Sequence, residues 1–276
     1  MEHLVPLQVL QMFNQHSSVN ERLASLHERI LQQLPAVARI ACAIYDKQQD
    51  MLKTFIHSTR QGQAISSYQA RLSESPSLKK LAQQGLCRVI DNIPATIQGG
   101  NQHSDWLLAQ HYQSSFTVPM YDQGELLGFI FFDALETGVF QPTVQRDLLL
   151  HCNLINMALS SELAAVRAVI ASAQVARDFV NLRDFETGAH LERMARYARL
   201  IAQGVSQLYQ LNDEMIEHIY LFAPLHDIGK IGIPDHILLK PGPLTPTERV
   251  IMQQHVDKGV DIIDKVLGDF GLVNLP

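Results

Sequence analysis

Only three of the 276 residues are cysteine (Cys42, Cys87 and Cys152), and their wide separation forms no C-x-x-C pair. That spacing argues against both a disulfide framework and a structural zinc ribbon. The expected role for all three is that of small buried hydrophobes in a reducing compartment. Basic residues are also scarce: 22 Lys and Arg stand against 28 Asp and Glu, a net charge of −6. Such a balance gives no cationic excess for a nucleic acid polymer or an anionic membrane surface. A small phosphate ligand stays compatible with it, because a bound metal adds positive charge that composition does not count. The opening residues, MEHLVPLQVLQMF, lack the basic leader and long apolar core of a signal peptide. The apolar runs fall short of the roughly 20 residues that span a bilayer. The expectation is a cytoplasmic protein without a membrane span.

The composition is otherwise that of a globular protein, 46% hydrophobic and 18% charged, in a chain long enough for two domains. Val19, Leu23, Leu26, Ile30 and Leu34 recur at helical spacing and predict a helix to about residue 35, with Ser18 or Asn20 at its start. ARIACAIY (38–45) and residues 51–57 flank the polar turn DKQQD and read as a hairpin. Residues 77–84 predict a short helix ended by Gly85, residues 88–93 a strand, and residues 95–104 a loop. SSFTVPMY, the turn DQGE and LLGFIFFDA read as a second antiparallel hairpin.

Ser115, Pro119, Gly124, Gly128, Phe131, Phe132, Asp133 and Phe140 complete a pattern that resembles a GAF domain. The resemblance covers about residues 15–160. It implies an α+β domain, an antiparallel sheet with flanking helices, that senses a small ligand. The sequence names no ligand: there is no cysteine in a chromophore-attachment context and no cyclic-nucleotide signature. His103 and His111 read as solvated loop histidines.

From Thr143 to Arg183 the chain has neither Pro nor Gly. Leu148, Cys152, Ile155, Leu159, Leu163, Val166, Ile170 and Ala173 form a heptad-like stripe with one extra four-residue step. Two readings are open: a helix packed on its own domain, or a parallel homodimer helix joining sensor to output. The second is the working expectation.

The C-terminal part is helical in pattern and rich in titratable groups. Helices are expected over 186–203, ended by Gly204, and over 213–226. A Gly- and Pro-rich loop should follow, and then a helix from Thr245 through His255 toward Asp264. Glu186 and His190, four residues apart, share a helical face. His226 and Asp227 are adjacent, Lys230 follows in the same turn, and His255 lies on the next helix. Histidine and carboxylate donors without cysteine suit iron, manganese or magnesium-like cations. Paired cations bridged by a carboxylate generate hydroxide from water and clamp phosphoryl oxygens. A lysine beside them holds a phosphate oxygen as a point charge. Taken singly, each of these residues also fits a solvated helix pair or a satisfied histidine.

The run HDIGKIGIPDHILLKPGPLT from His226 to Thr245, the upstream ETGAH and the downstream MQQHVDKG together resemble the HD-GYP subgroup of the HD phosphohydrolases. The resemblance covers about residues 170–276. It implies an all-α domain that hydrolyses cyclic di-GMP, or the related mixed cyclic GMP-AMP, to pGpG or GMP. It also implies two or three divalent metals, iron or manganese. Glu186, His190, His226, Asp227 and His255 match metal ligands, with Asp227 bridging. Lys230 matches the catalytic lysine on the scissile phosphate, and Gly232, Ile233, Pro234 and Lys240 fall in the substrate-side loop. The implied organisation is a sensor domain over 1–160, a linker helix over 143–183 and the first part of the phosphodiesterase domain over 184–276. The family's His-His-Glu block, its Gly-Tyr-Pro motif and a final Asp ligand are not among these residues. The resemblance therefore implies an incomplete metal site here, with little hydrolysis by this chain. The alternative is an inactive ligand sensor carrying a degenerate HD module.

Overall fold

The computed structural model describes residues 18–100, 102–181 and 188–269. The chain divides into two compact units, Met1–Ser160 and Ser161–Pro276.

In the first unit, helix α1 (Val19–Gln33) starts at a capping box. Ser18 Oγ accepts from the Glu21 N–H, and the Glu21 carboxylate accepts from the Ser18 N–H. Val19, Leu23, Leu26 and Ile30 form its buried stripe. It packs on strands β1 (Val37–Asp46) and β2 (Met51–Thr59), the expected first hairpin. The sheet has six antiparallel strands in the order β3-β2-β1-β6-β5-β4, with β3 (Gln69–Arg71), β4 (Arg88–Ile90), β5 (Ser114–Asp122) and β6 (Glu125–Ala134). β5 and β6 turn through Gln123 and Gly124, at φ 49° and 85°, the left-handed pair of a two-residue hairpin. At Gly128 the backbones of β1 and β6 meet: a Cβ there would lie 1.9 Å from the Ala43 carbonyl oxygen. Phe116, Phe129, Phe132 and Phe140 are fully buried, each stabilising the core by about 2–3 kcal/mol.

Helices α2 (Pro76–Gln84), α3 (Ile93–Thr96) and α4 (Gln102–Ala109) border the sheet. Gly85 ends α2 in the left-handed conformation, φ 63°, as the sequence predicted. The expected loop over 95–104 is partly helical instead. Pro94 sits in the first turn of α3, where its missing N–H costs nothing, and α4 carries His103, Trp106 and Leu107 toward the interior. Cys42 and Cys152 are buried as expected, but Cys87 is exposed, because it lies in the short connection between α2 and β4.

Helix α5 (Pro142–Asn181) is continuous over 40 residues. Its apolar stripe is buried within the chain. Leu148, Cys152, Ile155, Leu159, Leu163, Val166 and Ala173 are each at most 6% exposed, with Val169 buried rather than Ile170. These side chains are therefore covered by the chain's own residues, and they do not by themselves supply the seam expected for a parallel dimer. By length and composition, Pro142–Val175 is long and apolar enough to cross a membrane; one stripe of it is buried, while Leu150, Met157 and Val175 are exposed.

The second unit is helical. α6 (Gly188–Tyr209) runs through Gly204 instead of ending there. α7 (Asp213–Phe222) is capped by Asn212 and gives way at Pro224 to a short 3₁₀ turn. Arg199 of α6 pairs with Glu217 of α7 at 2.8 Å and lies over the Tyr220 ring. A second 3₁₀ turn, Ile228–Gly232, precedes α8 (Asp235–Leu238). The expected single helix through His255 is two: α9 (Pro246–Gln253), with Thr245 and Glu248 as its capping box, and α10 (His255–Asp269). The break at Gln254 sets α10 on its own course. Ala173, Leu225 and Ile228 form a core with Phe222, Ile262 and Ile263. Both units match the expected fold classes, α+β followed by all-α.

Candidate active site on the His226–His255 face

Asp227 follows the Pro224-containing turn, just before the Ile228–Gly232 turn. Its two carboxylate oxygens face different partners. His226 Nε2 is 3.2 Å from Oδ2, Lys230 Nζ is 2.9 Å from Oδ2, and His255 Nε2 is 3.3 Å from Oδ1. The hydrogen bond from His226 and then that from Lys230 hold the carboxyl well below the usual carboxylate range, against the opposing effect of burial. The carboxylate is only 17% exposed. It is therefore an ionised, partly desolvated anion at neutral pH, surrounded by three nitrogen donors.

Backbone proximity makes this grouping possible. At Gly229 the turn lies against α10, so that a Cβ would be 1.8 Å from the His255 carbonyl oxygen and 2.5 Å from the Gly259 nitrogen. Only glycine permits that approach, and the approach brings His255 to Asp227. Each imidazole is oriented by its second nitrogen. His226 Nδ1 is 3.2 Å from the Ala223 carbonyl and His255 Nδ1 is 2.7 Å from the Met252 carbonyl. A carbonyl only accepts, so Nδ1 of each ring carries a proton. The Nε2 contact to the Asp227 carboxylate is a hydrogen bond when Nε2 is protonated as well, and an unprotonated Nε2 would offer its lone pair to a cation held between ring and carboxylate.

The other residues singled out by sequence fall in different places. Glu186 lies outside the described residues. His190 stands exposed in the first turn of α6. Gly232 ends the 3₁₀ turn beside the Lys258 side chain, and Pro234 is exposed at the start of α8. Ile233 is 2% exposed, so its side chain belongs to the core. Lys240 pairs with Glu248 and so joins the loop to the α9 cap. That ammonium holds the Glu248 carboxyl at about 2.

Two imidazole nitrogens and a carboxylate are the right donor types for a borderline divalent cation. Their number is short: among the described residues, no group of three or more His, Cys, Asp or Glu side chains is arranged to hold a metal ion.

The sequence reading missed the polar cluster of the first unit. Arg39 and Asp133 form a buried ion pair across β1 and β6. They border a cavity of about 430 Å³, also lined by Arg88, Tyr68, His103 and Phe131. His103 is a cavity residue, not the solvated loop histidine expected. It packs against Tyr68 and Phe131, with burial lowering its pKa. His111 is exposed, as expected. A lone arginine inside the apolar run ARIACAIY was the available signal.

Residues 187–275 match the family model of the HD domain. Among curated proteins, a 3′3′-cGAMP-specific phosphodiesterase 2 of Vibrio cholerae is 45% identical over 86 residues, 31% of this chain and 16% of that protein. A cyclic di-GMP phosphodiesterase of Thermotoga maritima is 48% identical over 85 residues, 30% of this chain and 22% of its own length. The cyclic di-GMP phosphodiesterase response regulator RpfG of Xanthomonas campestris is 36% identical over 153 residues, 47% of this chain and 39% of that protein. Each match thus spans well under half of the relative. Among solved structures, the GAF domain of a Coxiella burnetii phosphoenolpyruvate-protein phosphotransferase superposes with a TM-score of 0.45. The identity is 19%, over 58% of this chain and 91% of that one.

Proposed function

We propose, from the HD domain that the chain carries over residues 187–275, that the second unit belongs to a metal-dependent cyclic-dinucleotide phosphodiesterase controlled by a small-ligand domain in the first unit. The observation that carries this reading is the Asp227 carboxylate, flanked on one oxygen by His226 and on the other by His255. In this reading His226, Asp227 and His255 hold a divalent cation, with His190 and Glu186 supplied by the preceding segment. Such a cation supplies hydroxide at neutral pH and stabilises charge on phosphoryl oxygens. Asp227 offers one oxygen to each side, the geometry a bridging carboxylate needs. Lys230 Nζ lies 2.9 Å from Asp227 Oδ2, which sets its ammonium beside the carboxylate, where it would act as a point charge on a phosphate oxygen. Cyclic di-GMP, or the mixed cyclic GMP-AMP, is the proposed substrate, on the strength of what the relatives' names state. The cytoplasm is the proposed location.

The shortage of converging donors favours a second reading, in which the HD unit of this chain is an inert transmitter. Manganese titration separates the two, with free Mn²⁺ followed by electron paramagnetic resonance. The 276-residue chain is expected to bind Mn²⁺, and Asp227→Ala to abolish binding. Equal binding by the variant would refute the ligand assignment. Incubation with cyclic di-GMP and Mn²⁺ or Fe²⁺, followed by chromatography of pGpG and GMP, then addresses turnover. With only the donors of this chain, hydrolysis near background is expected. Robust turnover that Asp227→Ala eliminates would show that those donors suffice.

A further inference from the structure

The cavity of about 430 Å³ in the first unit is large enough for a small organic ligand. Given the reading of that unit as a small-ligand domain, on which this inference rests, the cavity lining assigns the ligand a chemical class. The charged groups of the lining form pairs, with one left over. Arg39 is engaged by Asp133. Arg71 and Glu74 pair at 3.9 Å, both well exposed. Arg88 has no ion pair among the described residues. Two of its nitrogens donate to Ser77 Oγ at 2.9 Å and Thr117 Oγ1 at 3.3 Å, hydroxyls that carry no charge. Its Nε is buried with no hydrogen-bond partner among the described residues, as is the Nε of Arg39. Burial works against the Arg88 charge, and Asp133 favours it only through space. A partly desolvated guanidinium with neutral partners gains when an anion joins it.

The rest of the lining mixes hydroxyls, among them Thr54, Ser104 and Ser115, with aromatic and aliphatic surface. The His103 ring lies 5.8 Å from Tyr68 and 6.5 Å from Phe131, so three ring faces border the space, and Leu52, Ile65 and Ile90 contribute aliphatic surface. His103 adds no second positive charge at neutral pH, because burial keeps it neutral. One unmatched cation calls for a monoanion. A phosphate dianion would bring a surplus charge next to Asp133.

We propose that this cavity binds a small carboxylate with a flat apolar or aromatic body, the carboxylate on Arg88 and the body against Tyr68, His103 and Phe131. A planar guanidinium donates to both carboxylate oxygens at once.

The single tryptophan, Trp106, reports on this cavity, since Arg39 lies over its ring at 4.7 Å and His103 is 6.0 Å away. Benzoate, phenylacetate, benzamide, phenylacetamide and phenyl phosphate are titrated into the full chain at neutral pH, followed by Trp106 fluorescence and calorimetry. The two acids are expected to bind saturably, about tenfold or more tighter than their amides and than phenyl phosphate. Arg88→Gln should remove the preference for acid over amide and leave amide binding unchanged. Arg88→Lys should retain the charge preference in part, with weaker acid binding. Equal affinity for acid and amide overturns the carboxylate assignment but leaves the small-ligand reading standing. Tighter binding of phenyl phosphate also overturns the assignment. No saturable response to any of the five probes overturns both. If Arg88→Gln does not fold, Arg88→Lys decides: unchanged acid affinity there sinks the proposal.

Discussion

A methyl group at Gly229 would sit 1.8 Å from the His255 carbonyl oxygen, whereas at Gly259 it would meet its nearest neighbour at an ordinary 3.5 Å. The two glycines face each other across one contact, yet they should respond differently to the same substitution. Gly229→Ala must push α10 away and is expected to destabilise the second unit by about 3 kcal/mol or more. Gly259→Ala lies inside a helix, where alanine is favoured by roughly 0.5–1 kcal/mol, and is expected to be neutral or mildly stabilising. Urea unfolding followed by circular dichroism checks both. The same displacement separates His255 from Asp227, so Gly229→Ala should also lose Mn²⁺ binding, while Gly259→Ala keeps it. Two variants of equal stability would show that the close approach does not position His255.

Helix α5 shows why a heptad-like stripe is ambiguous at the level of one element. The same spacing of apolar residues serves a coiled-coil seam or a helix packed in a core. Leu159 is 0% exposed and Met157 is 67% exposed, two positions apart on the same helix. Leu159→Glu buries an unpaired carboxylate and is expected to cost about 3–5 kcal/mol, enough to lower expression and melting temperature markedly. Met157→Glu should change stability by less than about 0.5 kcal/mol. Thermal melts read beside light scattering distinguish the two arrangements. Had the stripe been a dimer seam, Leu159→Glu would give a stable monomer from a dimeric parent, and that outcome would contradict the packing described.

Over the whole molecule, the two units can be followed separately because the single tryptophan, Trp106, belongs to the first. His27 is fully buried there, its Nδ1 2.9 Å from Ser58 Oγ and its Nε2 2.9 Å from the Val37 carbonyl. The neutral ring satisfies both by donating from Nε2 and accepting at Nδ1. Burial first, and the Arg60 charge, lower its pKa below 6.5, against the Val37 and Ser58 hydrogen bonds and Glu28. His103 is lowered as well, again by burial. A histidine whose folded pKa is depressed is protonated more readily when unfolded. Its contribution is therefore present above pH 6.5 and is lost as pH falls through the folded value. The melting temperature read by Trp106 fluorescence should fall between about pH 7.5 and about pH 5, and His27→Gln should flatten that dependence. A melting temperature that rises as pH falls would show that neither ring is held neutral.

The sequence by itself determined the elements whose signals are local. Ser18 with Glu21 and Thr245 with Glu248 set helix starts through their own side chains. Gly85 supplied a left-handed stop, and Gln123-Gly124 closed a hairpin that periodicity had already outlined. The HDIGK run likewise singled out Asp227 as a candidate, and the fold brings His226, Lys230 and His255 to its carboxylate. Tertiary structure decided what depends on partners distant in sequence. Gly204 does not end its helix, since a single residue's propensity of about 1 kcal/mol does not override packing on both sides of it. The pairing of Arg39 with Asp133 spans 94 positions and places a charge inside a sheet that its strand alone would exclude. Arg88 remains unmatched only because the folded chain brings hydroxyls, and no carboxylate, into hydrogen-bonding contact with it. Periodicity likewise specifies a buried face on α5 and leaves open what buries it; in the fold, residues of the same chain cover that stripe.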